Sequence, residues 1–72
     1  MVFNIYEVES GDFIGSYNSN VVPRRGEEMF WGETQLKVVG VYHIIEKYSP
    51  IYTNTESEHF LKSIEIEVEI VD

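Results

Sequence analysis

Residues 35–48, QLKVVGVYHIIEKY, decide how the rest of the chain folds. They are the longest run with strong strand character, and apolar groups stand on both parities of it. Leu36 and Val38 share one parity, while Val41, His43 and Ile45 share the other. In a regular strand the two sets would point to opposite faces. Gly40 sits where the parity changes, and a β-bulge there would bring both sets to one side. The other solution is a strand covered on both faces, as in a closed barrel or at a subunit interface. Under both, this is a long bent strand at the centre of the domain. The bulge leaves Val39, Tyr42 and Ile44 needing cover from elsewhere.

The flanking segments read as shorter strands joined by turns. Residues 28–31 contain Met29, Phe30 and Trp31 in succession, which cannot all face one core, so Phe30 is expected to point outward. Gly32-Glu33-Thr34 reads as a three-residue hairpin connection into the central strand. Upstream, residues 21–26, VVPRRG, predict an extended segment and then a tight turn, with Pro23 at its first central position. Residues 2–9 and 13–17 predict a hairpin around Ser10-Gly11-Asp12. Gly15, inside the second of these, signals a bulge or a close backbone approach.

Downstream, Ser49-Pro50 ends the central run, Ile51 and Tyr52 extend its pairing briefly, and residues 53–58 form a polar loop. Residues 59–62 are expected to be loop running into strand, in preference to one helical turn. Residues 63–71 alternate cleanly. Ile64, Ile66, Val68 and Ile70 point one way; Glu65, Glu67, Glu69 and Val71 point the other. The expected architecture over residues 1–72 is one small all-β domain with little or no helix. It is a five-stranded antiparallel barrel or roll, SH3-like as first choice and OB-like as second.

Seventy-two residues bury only about 60% of their extended surface, which suits a binding module better than a catalytic cleft. The absence of cysteine rules out disulfides and thiolate zinc sites, and favours an intracellular setting. The first residues lack the basic and apolar regions of a signal peptide, and no apolar run approaches the roughly 18 residues of a membrane span. The expectation is a cytoplasmic protein of a bacterium or an infected host cell. The net charge of −8 opposes direct binding to nucleic acid or to anionic membranes, and its complement is a basic protein partner. The same charge also serves plain solubility.

Two sets of residues are candidates for partner binding. Glu65, Glu67 and Glu69 would project from one strand face at intervals of about 6.6–7 Å. Such a row can mimic a line of phosphates before a basic groove; it is equally the wet face of an amphipathic strand. Arg24 and Arg25, with Phe30 and Trp31, form the second set. Paired guanidiniums clamp carboxylates or phosphates, and exposed aromatics beside arginine make interface hot spots. The bland alternatives are ion pairs with Glu27 and Glu28 and a two-sided core strand. His43 and His59 have no metal-ligand spacing, and no nucleophile, nucleotide loop or cofactor motif occurs. No enzyme activity, metal or cofactor is expected.

Residues 21–46, VVPRRGEEMFW followed by LKVVGVYHII, resemble a pattern of small phage- and prophage-encoded proteins. The matching positions are Pro23, Gly26 and Glu27, then Val38, Val41 and His43. The resemblance implies an SH3-type or similar small barrel. It further implies an accessory role or inhibition of a host enzyme or defence system. No functional residue is carried over, because the shared positions belong to turn and core. The expected function is a small acidic protein-binding module, a phage-type accessory protein or inhibitor of a host protein such as a nucleic-acid-binding one. The alternatives are a structural homo-oligomer subunit and a small-ligand barrel whose mouth is lined by Trp31, Tyr42 and His43.

Overall fold

The apolar run and the alternating run become neighbouring strands of a single five-stranded sheet. The computed structural model describes residues 1–48 and 58–72. Its strands are β1 (Val2–Glu7), β2 (Phe13–Asn18), β3 (Glu28–Trp31), β4 (Thr34–Tyr48) and β5 (Glu58–Ile70). They lie in the order β2-β1-β5-β4-β3. No helix occurs among the described residues. The all-β, barrel-like class is therefore as expected, with residues 59–62 in β5. The expected breaks and turn signals in residues 49–57 lie outside the described residues.

The purely antiparallel arrangement needs correction. β1 runs parallel to β5, from Phe3↔Ile64 to Glu7↔Val68, so the sheet is mixed. The other three pairs of neighbours are antiparallel. The physical reason is that turn chemistry specifies only sequential neighbours. The β1–β2 hairpin and the β3–β4 pair are set locally, whereas β1 and β5 meet through a long connection with no local signature.

Among the described residues the fully buried apolar side chains, Phe3, Ile5, Leu36, Val38, Ile64, Ile66 and Val68, face the concave side. The parity switch in β4 is a bulge, since the register passes from Val38↔Val68 to Gly40↔Glu67 with Val39 left over. Leu36, Val38 and Val41 thereby reach one side, Val41 packing half-buried against the core. His43 and Ile45 follow the same parity but are exposed, because no element lies over that end of β4 among the described residues. Ile70 is exposed as well. A second irregularity leaves Lys62 unpaired between Ser63↔Ile44 and Leu61↔Ile45.

Among the described residues no second layer covers the core, and the sheet curls until its two edges approach. Tyr17 of β2 stacks on Phe3 at 4.9 Å and meets Trp31 of β3 at 6.3 Å between ring centroids. Gly15 is the point of closest approach, since a Cβ there would overlap the Trp31 indole. Both readings of Gly15 hold, for the β1–β2 register also shifts beside it, between Ile5↔Gly15 and Tyr6↔Phe13.

Two turns differ in detail from expectation. The turn after Pro23 spans Arg24 to Glu27, closed by the Glu27 N–H donating to the Arg24 carbonyl at 3.0 Å. Gly26, with φ 95°, takes its second central position, so Pro23 precedes the turn. The Glu27 carboxylate then accepts the Arg24 backbone N–H at 2.7 Å. The β3–β4 loop contains only Gly32 and Glu33, because Thr34 already pairs with Trp31.

The Gly15–Trp31 contact is open to a direct test. Gly15→Ala forces the indole or the β2 backbone to shift, at a cost of about 1–3 kcal/mol. Urea denaturation should show a lowered midpoint with an unchanged slope.

Candidate functional site: the outer sheet face

The strand registers arrange the polar parity of the sheet as a grid on the convex side. Asn4 of β1, Glu65 of β5 and Tyr42 of β4 form one row. Ser16 of β2 extends it, donating its hydroxyl to Asn4 Oδ1 at 2.6 Å. Tyr6, Glu67 and Gly40 form the next row, with Phe13 against the Tyr6 ring at 5.4 Å. Gly40 matters here because the Tyr42 ring folds back over it; a Cβ at Gly40 would lie 2.9 Å from that ring.

A small depression of about 240 Å³ results, bounded by Tyr6, Tyr42, Glu65, Glu67 and the β1–β2 turn. It is smaller than the roughly 300–1,000 Å³ of ordinary small-molecule sites, and its size suits a side chain. Two carboxylates reach it between two tyrosines. One carboxylate oxygen, Glu65 Oε2, is buried and has no hydrogen-bond partner among the described residues. A buried acceptor without a donor is costly.

The expected comb of Glu65, Glu67 and Glu69 does lie on one face, but its members differ. Glu65 and Glu67 are half-buried in the depression. Glu69 is exposed and stands opposite Lys37 in the ladder, with Glu28 on the far side of that lysine. The local negative potential is therefore centred on Glu65 and Glu67. Tyr6 was not singled out from sequence, and Tyr42 was expected only as a residue needing cover or lining a barrel mouth. Their signal was present in the polar parity of two strands, but only the β1–β5–β4 register makes them neighbours.

The second set is split. Arg24 and Arg25 line a groove of about 490 Å³ with Val22, Pro23 and the outer edge of β4 from Val39 to His43. Phe30 and Trp31 line a different depression with Tyr17 and Met29. Phe30 does point outward, 70% exposed, while Met29 turns inward onto the core. No ion pair to Arg24 or Arg25 occurs among the described residues; Glu28 instead accepts from the Gln35 amide at 2.7 Å. Of the residues expected to line a ligand-binding mouth, Tyr42 and His43 line one groove and Trp31 another. Among the described residues no group of three or more metal-ligating side chains is placed to hold an ion. No helix there is long and apolar enough to cross a membrane.

Comparison with protein-family models, with curated proteins and with solved structures gives no match to this chain.

Burial gives the aromatic closure a pH dependence. Tyr17 loses solvent beneath Phe3 and Trp31, and desolvation raises its hydroxyl above the ordinary 10.0. The neutral phenol is thus favoured in the folded state. The associated stability is full below pH 10.0 and is lost as pH rises through the folded value. Melting temperature should fall over that alkaline range, and Tyr17→Phe should flatten the dependence.

Proposed function

We propose that this chain is a small acidic protein-binding module that recognises a basic partner through its outer sheet face, without catalysis. The observation that carries this reading is the Glu65–Glu67 depression between Tyr6 and Tyr42, together with a Glu65 carboxylate oxygen that has no partner among the described residues. A lysine or arginine side chain has the matching charge, donors and length, and tyrosine faces attract such cations. The net charge of −8 supplies long-range attraction to a basic surface. The resemblance of residues 21–46 to small phage-encoded SH3-like proteins supports the role of accessory protein or inhibitor of a host protein. In this reading the module occupies a basic groove, such as one that binds nucleic acid, in the cytoplasm of a bacterium or infected cell.

The test is capture of partners from bacterial lysate on the immobilised protein at low and high salt, with identification by mass spectrometry. A basic partner is expected, held at low salt and released at high salt. The double variant Glu65→Gln/Glu67→Gln should weaken its binding about tenfold or more, equivalent to about 1.4 kcal/mol. Glu69→Gln should have the smaller effect. Binding and salt dependence that survive the double variant would remove the outer face from the mechanism.

A further inference from the structure

The two tyrosines of the outer-face depression stand on either side of one carboxylate. Tyr6 of β1 and Gly40 of β4 are both register partners of Glu67, which lies between them on β5. Neighbouring strands are about 4.8 Å apart, so these flanking positions are about 10 Å apart across Glu67. Glycine leaves one of them without a side chain, and the Tyr42 ring fills it. Its Cε2, Oη and Cζ atoms would lie 2.9, 3.0 and 3.2 Å from a Cβ at Gly40. On the other side Tyr6 is braced by Phe13, whose ring centroid is 5.4 Å away. The row thus runs Phe13, Tyr6, Glu67 and the ring of Tyr42, although Tyr42 itself pairs with Glu65.

Charge and size narrow what fits between the rings. Glu7, Glu65 and Glu67 line the depression with Tyr6 and Tyr42, and no lysine or arginine does so among the described residues. Lys62, whose ammonium both Glu46 and Glu65 stabilise, is bound by Glu46 at 2.8 Å. The matching occupant is therefore a cation from another molecule. A metal ion does not fit, since no three ligating side chains converge among the described residues. A lysine ammonium is about the size of a water, whose share of the liquid is about 30 Å³. It leaves most of the about 240 Å³ unfilled, whereas a guanidinium with its methylene stem fills more.

We propose that the depression takes an arginine side chain of the partner in preference to lysine, with its guanidinium between the rings of Tyr6 and Tyr42 over Glu67. Gly40 sets the preference by seating the Tyr42 ring. The proposal rests on the outer face being the face that binds. Guanidinium is planar, weakly hydrated and stacks on aromatic faces, whereas ammonium is compact and strongly hydrated. A cation above Glu67 lies about 5 Å from each flanking position, within the roughly 6 Å reach of a cation–π contact. The guanidinium fork also matches the two oxygens of the Glu67 carboxylate, which an ammonium meets only as a point charge. Rings and carboxylate both favour arginine.

Gly40 separates the position of the Tyr42 ring from its presence. Its φ is not positive, so alanine meets no backbone strain there. The three atoms nearest to the added methyl group all belong to the Tyr42 ring. Tyr42 is 50% exposed, with room to swing aside. Gly40→Ala therefore moves the ring out of the Glu67 row while the tyrosines, the carboxylates and the net charge stay the same.

The test is an NMR titration of the isotope-labelled protein with two capped peptides that differ only in one central residue, arginine or lysine. The arginine peptide should bind about fivefold or more tightly than the lysine peptide. It should shift the ring resonances of Tyr6 and Tyr42 and the side-chain resonances of Glu67. Gly40→Ala and, separately, Tyr42→Leu should bring the two affinities to within about twofold of each other, with the wild-type circular dichroism spectrum retained. Should Gly40→Ala unfold the chain, Tyr42→Leu, a change at an exposed side chain, decides. Equal affinity of the two peptides for the wild type would overturn the arginine preference, as would a preference that survives Tyr42→Leu; both leave the basic-partner reading standing. Failure of both peptides to shift the depression's resonances would overturn this proposal and the outer-face reading together.

Discussion

The extra residue at Val39 in the β4–β5 ladder is the constraint on which the sheet depends. Without it, Leu36 and Val38 would face the core while Val41 faced solvent, and β5 would lack apolar partners along half of Ile64 to Val68. With it, the core parity of β4 follows β5 past the bulge, and the strand bends. That bend begins the curl that makes a concave side deep enough for Phe3 and Ile5. The glycine beside the bulge leaves room on the convex face for the Tyr42 ring, which a Cβ there would meet at 2.9 Å.

Closure is then achieved by side chains alone. With no covering helix or second sheet among the described residues, the sheet folds over its own apolar face, and the two edge strands meet through Tyr17 and Trp31. Gly15 sets how near they come. This solution serves the body of the sheet, where β1, β4 and β5 lie side by side. It does not reach the far ends of β4 and β5, which extend past both edge strands and where no described residue covers Ile45 and Leu61.

The outer face shows how a regular strand pattern becomes specific. Three alternating glutamates look equivalent along the chain, but their cross-strand neighbours differ: Tyr42 and Asn4 for Glu65, Tyr6 and Gly40 for Glu67, Lys37 for Glu69. Neighbours decide which carboxylates remain available to a partner. The residue that opens space for Tyr42 is again Gly40, so the backbone irregularity that organises the core also shapes the outer surface.

From sequence alone the five strands, the bulge at Gly40, the tight place at Gly15, the outward Phe30 and the common face of the three glutamates were legible. Each follows from side-chain period, turn chemistry or the missing Cβ of glycine, which act over a few residues. The parallel β1–β5 pairing, the meeting of Tyr17 with Trp31, the separation of Arg24 and Arg25 from Phe30 and Trp31, and the exposure of His43 and Ile45 were not. They depend on which distant strands become neighbours and where each one stops. That is settled by burial of the whole apolar face against the cost of closing long loops, and no local pattern encodes it.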